Sequence, residues 1–235
     1  MGDLKLSERA YLKLSSAVPP AVATRMDLMR PSSFASAPLN GQRERQRIVR
    51  ELVAAVDFDE VVETGTFRAA TTLFLSYVTG KPVYSVELLP RYFRFAQLRC
   101  ADEPNIHLVQ GDSRSFLRDL APSIGGHTTL FYLDAHWQPN VPRFEELEII
   151  SATWTRAIVM VDDFSVPDDD GYGFVRYGTI PLNENYLPEL RGWGRFYPTA
   201  PSSVDTGAKR GCIVLATAAL IDRVAEVNSL RTKGA

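Results

Sequence analysis

Between Asp59 and Asp163 short apolar, β-rich runs recur at intervals of roughly 23 to 28 residues: EVVE near 60, VYSVE near 83, IHLVQ near 106, TLFYLD near 129 and AIVMVDD near 157. Helical stretches fit between them, at Ala69 to Tyr77, Pro90 to Cys100, Ser113 to Leu120 and Arg143 to Thr155. Strand, helix, strand, with runs apolar on both faces, is how a parallel sheet covered by helices reads. The fold class is therefore α/β. The 235 residues allow one domain, or one domain with an attached cap.

Ahead of this rhythm, residues 17–40 hold four prolines and much Ala and Ser without a sustained period, so they read as a loose connection. Gln42 to Val56 then places Ile48, Leu52, Val53 and Val56 at helical spacing. Residues 1–40 are accordingly an N-terminal cap or oligomer arm, an arrangement that permits a homodimer without requiring one. After Asp163 comes a long Gly-, Pro-, Asp- and Tyr-rich stretch, 164–194, which reads as a lid-like insertion in a domain spanning 41–235. Two last strands, near GRFYP and GCIVLAT, form an antiparallel hairpin that closes the sheet.

Composition excludes several classes of function. The 26 basic and 28 acidic residues give a net charge of −2, which provides no general field for gripping a nucleic acid. Cys100 and Cys212 suit neither a disulfide framework nor a zinc site. The N-terminus is charged and lacks the apolar stretch of a secretory signal. The longest apolar run, Cys212 to Ile221, is roughly half of what a bilayer crossing requires. The expectation is a soluble cytoplasmic protein with no membrane partner.

In an open parallel sheet, ligands bind outside the carboxyl ends of the strands, where strand order reverses. Those ends are acidic here: Glu63, Glu87, Asp112 after a short turn, Asp134, and the pair Asp162 and Asp163. The first strand ends in Glu63-Thr64-Gly65-Thr66-Phe67-Arg68-Ala69, and Gly65 lets the backbone turn tightly beside a ligand. Glu63 would repel a pyrophosphate but suits an ammonium or a sulfonium. Glu87, 22 residues after Gly65, stands where an acid accepts both hydroxyls of a ribose.

These residues resemble the class I S-adenosylmethionine-dependent methyltransferases from about Asp57 to the final strand. ETGTF is similar to their first motif, SVE to the ribose-binding motif, and GDSRSF to the segment flanking adenine. Within the class, the match is to the metal-dependent O-methyltransferases of the macrocin and aminocoumarin sugar type, and more distantly of the catechol type. The resemblance implies a Rossmann-like sheet of seven strands in the order 3-2-1-4-5-7-6 with helices on both faces. It implies that Glu63, Gly65, Thr66, Phe67, Glu87, Asp112, Ser113 and Asp134 bind S-adenosylmethionine. It also implies one Mg²⁺, or another hard divalent ion, on Asp134, Asp162 and Asp163, with 162 − 134 = 28 close to the family's spacing. His136, two residues past Asp134, matches the catalytic acid/base position of the sugar type, with Asp134 beside it as the second catalytic residue. The catechol type has a lysine where this chain has Trp137.

The reaction implied is O-methylation of a hydroxyl on a small molecule, a natural-product sugar or phenol. A metal-independent N- or C-methyltransferase and a catalytically silent binding protein remain open. So do plainer roles: a tight turn for Gly65, helix caps for Glu87 and Asp112, a cap and a turn for Asp162 and Asp163, and packing for His136. Tyr172, Phe174, Tyr177, Tyr186 and Trp193 line an acceptor pocket or anchor the 164–194 segment. Lys209 and Arg210, just before the last strand, either reach the active site or form an ordinary hairpin turn, the plainer of the two readings.

Overall fold

Each of the five apolar runs forms a strand. The computed structural model describes residues 18–29, 37–136, 142–178 and 180–234, so Trp137 and the first part of the N-terminal arm lie outside the described residues. The strands are β1 (Glu60–Thr64), β2 (Val83–Glu87), β3 (Ile106–Gln110), β4 (Thr129–Leu133) and β5 (Ala157–Asp162). Between them run α3 (Ala70–Thr79), α4 (Pro90–Arg99), α5 (Ser113–Ile124) and α6 (Arg143–Thr153), after the earlier helices α1 (Pro20–Leu28) and α2 (Arg43–Ala55). Two-residue strands β6 (Arg176–Tyr177) and β7 (Ile180–Pro181) pair with each other. They are followed by β8 (Gly194–Pro198), β9 (Cys212–Ala216), α7 (Ile221–Ala225) and β10 (Leu230–Arg231).

The main sheet is ordered β3-β2-β1-β4-β5-β9-β8-β10. The first five strands are parallel, β9 runs antiparallel to β5, and β8 is antiparallel to β9. This is the expected Rossmann-like order with an eighth strand added at one edge. That strand, β10, pairs Leu230 with Pro198 and Arg231 with Tyr197, and two residues are too few to leave a sequence signal. Strand order reverses between β1 and β4, which places the ligand crevice above their carboxyl ends.

Alternation along the strands splits the core into two layers. Val61, Tyr132, Ile158 and Met160 face α2, α3 and α7, packing with Ile48, Leu52, Leu75 and Val224. Val62, Phe131, Val159 and Val161 face α5 and α6, where Leu117, Leu147, Ile150 and Trp154 meet them. Burying a side chain of this kind stabilises by about 1.5–3 kcal/mol, so the layers fix both helices and strand ends.

Residues 17–40 are not wholly a loose connection, because Pro20–Leu28 is helical. The Pro19-Pro20 pair that suggested a break stands at the helix start, where the missing N–H costs nothing. Asp27 fixes this helix to the body: it is buried and accepts from Arg68 (2.9 Å) and from Arg91 (2.7 Å). In the 164–194 stretch, Phe164, Val166, Tyr172, Leu182 and Leu190 pack into the second core layer. Tyr172 is an anchor, its phenol donating to the Ala200 carbonyl at 3.1 Å. No described helix is long and apolar enough to cross a membrane.

Candidate active site at the ends of β1, β2, β4 and β5

The loop after β1 is held against two neighbouring strands. Gly65 and Thr66 donate to the Val86 carbonyl at 3.0 and 3.1 Å, and the Thr66 hydroxyl meets Ser85 Oγ at 2.6 Å. Gly65 has φ +91°, and it lies against the backbone of Asp134 and Ala135. Phe67 and Ala69 also take left-handed φ, of 47° and 55°. Such a conformation costs a residue bearing a β-carbon roughly 1–2 kcal/mol, and strain of this kind clusters at ligand-binding loops.

Glu63 is fully buried, and its Oε2 accepts from the Thr72 and Ser85 hydroxyls, both at 2.5 Å. Its Oε1 has no hydrogen-bond partner among the described residues. Burial pushes this carboxyl up to about 7 against the opposing hydrogen bonds. Glu87 accepts from the Phe67 amide at 2.7 Å and the Leu89 amide at 2.8 Å, and burial raises its pKa. One oxygen thus meets the Leu89 amide just ahead of α4, short of the first-turn amides that a helix cap would satisfy, while the other ties Glu87 to the β1 loop.

Asp112 caps α5, accepting from the Arg114 and Ser115 amides and pairing with the Arg114 guanidinium at 2.6 Å. Its neighbour Ser113 is buried. Ser113 and Thr64 face the carboxylate of Glu146 from α5 and β1 without closing a hydrogen bond of good geometry. Glu146 is fully buried, and burial pushes it up to about 7.

The two aspartates that end β5 serve different places. Asp162, fully buried, continues the Ile158–Met160 face toward α2. Its carboxylate accepts from Arg45, from Asn40 (2.8 Å), from Tyr132 (2.9 Å) and from the Asp163 amide (2.8 Å). Four donors leave no oxygen facing the crevice. Asp163 adopts φ 60°, which carries its side chain off the strand's alternation toward Asp134.

Of the three carboxylates expected to share an ion, Asp134 and Asp163 offer oxygens to one point, while the oxygens of the neighbouring Asp162 are taken up by its four donors. The group within reach of one point is Asp134, His136 and Asp163, whose nearest donor atoms lie within 4.8 Å of one another. Two arginines already occupy these carboxylates. The buried Arg143 places Nη2 3.2 Å from Asp134 Oδ1 and 3.9 Å from Asp163 Oδ2, and Arg210 donates Nε to Asp163 Oδ1 at 2.5 Å. Burial alone would raise the Asp163 pKa, but Arg143 and Arg210 hold it below the usual carboxylate range. Asp134 is driven the other way by burial and by the neighbouring Asp162 and Asp163. Arg45, Arg143 and Arg210 thus stand against Asp134, Asp162 and Asp163.

His136 is half-exposed at the crevice, with Nδ1 3.0 Å from the Asp134 carbonyl and 3.7 Å from Asp134 Oδ1. A carbonyl only accepts, so this contact puts the proton on Nδ1 and leaves Nε2 with a lone pair. Burial and then Arg143 lower the pKa of the ring.

The sequence reading missed Arg45, Arg143 and Glu146, and of its two readings for Arg210 it favoured the turn over the reach to the site that the Asp163 contact shows. A signal for the first three was present. Arg45 shares its buried stripe with Ile48, Val49 and Leu52, and Arg143 and Glu146 share theirs with Leu147 and Ile150. A charge at an apolar position of an amphipathic helix needs a buried partner.

Two of the solved structures that share this fold are complexes with SAH or SAM. The fold is that of the class I methyltransferases. The O-methyltransferase from Bacillus cereus, in complex with SAH, superposes with a TM-score of 0.54 at 13% identity over 92% of this chain and 93% of that one. The O-methyltransferase TomG from Streptomyces achromogenes, involved in tomaymycin synthesis and solved with SAM, gives 0.53 at 15% over 74% and 79%. The cofactor-bound protein Rv0187 from MTB gives 0.52 at 16% over 93% and 92%. No protein-family model matches the chain, and no curated protein matches it in sequence.

Proposed function

We propose that this chain is an S-adenosylmethionine-dependent O-methyltransferase acting on a hydroxyl of a small molecule. The observation that carries the reading is the junction of Gly65 with the Asp134–Ala135 backbone. It joins the β1 loop, the Glu87 carboxylate and the His136 imidazole into one crevice at the strand-order reversal.

The residues suit the donor. The unpaired Glu63 Oε1 is a buried acceptor beside the turn that would cradle the methionine part, and Glu87 stands where ribose hydroxyls would replace or share its amide partners. Thr66 and Phe67 shape the loop, and Asp112 with Ser113 flank the adenine end. S-adenosylmethionine supplies an electrophilic methyl group when bound. His136 Nε2 accepts the proton of the attacking hydroxyl, while its Nδ1–H stays on the Asp134 carbonyl, which fixes the ring's orientation. The α1 helix, latched by Asp27, would belong to the cap expected at residues 1–40, of which 1–17 and 30–36 lie outside the described residues, and 164–194 would serve as the lid over the acceptor.

Calorimetry with S-adenosylmethionine tests the first half of this reading, and transfer of a labelled methyl group to a panel of sugar and phenolic hydroxyls tests the second. Absence of both heat and thermal stabilisation at saturating donor would overturn it.

A further inference from the structure

Three carboxylates at the ends of β4 and β5 meet three guanidinium groups, and the three arginines come from separated parts of the chain. Arg45 belongs to α2, Arg143 opens α6, and Arg210 precedes β9. The side chains of Arg45 and Arg143 are 2% and 0% exposed, so neither can swing into solvent to make way for another cation. A guanidinium does not shed its proton under any ordinary condition, so its charge stays in place. The donor atoms of Asp134, His136 and Asp163 are near enough to begin an octahedral shell, but Arg143 Nη2 stands against both carboxylates of that set.

We propose that Arg143 is the resident cation of this site: it orients Asp134 and Asp163, excludes a divalent ion, and leaves an acceptor free of any need for a second, chelating oxygen. Arg143 is a positioning residue, since it is enclosed and acts through the two aspartates. Asp134 carries the carbonyl that fixes His136, so the same guanidinium steadies the residue that takes the proton. The substrate class narrows accordingly to molecules presenting one isolated hydroxyl, with no requirement for a vicinal diol or catechol. That last step rests on the methyl-transfer reading; the exclusion of the ion does not.

Manganese(II), visible by electron paramagnetic resonance, is the probe. The unmodified protein should show no saturable site below about 1 mM, the weak end of protein sites for divalent ions. Arg143→Gln should gain one, Arg143→Gln with Asp163→Asn should lose it again, and Arg143→Lys should keep the exclusion because it keeps the charge. One tightly held ion per unmodified chain, lost in Asp163→Asn, overturns the proposal, and so does a folded Arg143→Gln that still excludes the ion. If Arg143→Gln does not fold, the comparison of the unmodified protein with Asp163→Asn decides alone. Turnover on a single-hydroxyl acceptor should be unchanged by EDTA. A protein that fails to bind S-adenosylmethionine yet excludes manganese would overturn the methyl-transfer reading and leave the role of Arg143 standing.

Discussion

A β-carbon placed on Gly65 would stand 2.9 Å from the backbone nitrogen of Ala135. Neither partner is a flexible side-chain end, so the clash moves main chain. Gly65→Ala should therefore separate the β1 loop from β4 and add a left-handed residue to a loop that already holds two. We expect a loss of roughly 1–3 kcal/mol in stability and at least a tenfold loss of donor affinity. Thermal unfolding and calorimetry check the two effects, and an alanine variant with unchanged affinity would contradict the junction's role.

Asp162 is a structural anion. Asp162→Ala leaves Arg45 enclosed without a counter-charge, and removing one partner of a buried pair costs about 3–5 kcal/mol. The double variant Arg45→Met with Asp162→Leu should recover much of that loss. Urea unfolding of the single and double variants measures the coupling, and simple additivity would show that the pair is not acting as one unit.

Buried acids with raised pKa values shape the pH dependence near neutrality, Glu63 and Glu146 together with Glu87 and Asp134. Glu63 and Glu146 are each pushed by burial from near 4.5 up to about 7. Between these values the native state keeps protons that the unfolded chain has released. Their contribution is thus whole below about pH 4.5 and is lost as pH rises through 7, at a slope of up to about 1.4 kcal/mol per pH unit for each group. Asp163, whose pKa is lowered, acts with opposite sign and only at lower pH. Unfolding free energies should fall from pH 5 to pH 7, and Glu146→Gln should flatten part of the slope. A flat profile in the unmodified protein would show that none of these acids retains its proton.

For His136→Ala the expected outcome is a fall in turnover of about 10²- to 10⁴-fold at neutral pH, with donor affinity retained. Higher pH should restore part of the rate as the acceptor ionises without help. Single-turnover kinetics with labelled donor measure this, and an unchanged rate would remove His136 as the base.

Asp27→Asn keeps the shape of the latch but removes the charge shared by Arg68 and Arg91. Arg68 follows Phe67 in the β1 loop, so freeing α1 also loosens the loop. Faster protease cleavage within residues 18–29 and a higher donor dissociation rate should appear together. Faster cleavage with an unaltered donor off-rate would separate the cap from the crevice.

The sheet was legible because its central strands are buried on both faces and so appear as apolar runs, each ending near a residue of the crevice. β10 was not, since Leu230–Arg231 is two residues long and takes its strand form from pairing with β8. The α1 helix was hidden by its prolines and by Asp27, whose partners lie 41 and 64 residues away. Of the acidic strand ends, the sequence could point to the pair at 162 and 163 but not divide it. That division depends on the left-handed turn at Asp163 and on an arginine 117 residues before Asp162. Distant cations decide what a local carboxylate does, and they leave no mark in the motif itself.

Arg45 also donates to the carbonyl of Arg210, 165 residues further along. A ribosome releases the α2 guanidinium long before it makes either of these partners. That guanidinium therefore stays in water, with no counter-charge to be buried beside, until β5 and then β9 emerge, which ties completion of this centre to the last part of synthesis. Chains cut short before Arg210 would carry most of the sheet and every acid of the crevice, yet lack the last contacts that hold Arg45 and Asp163.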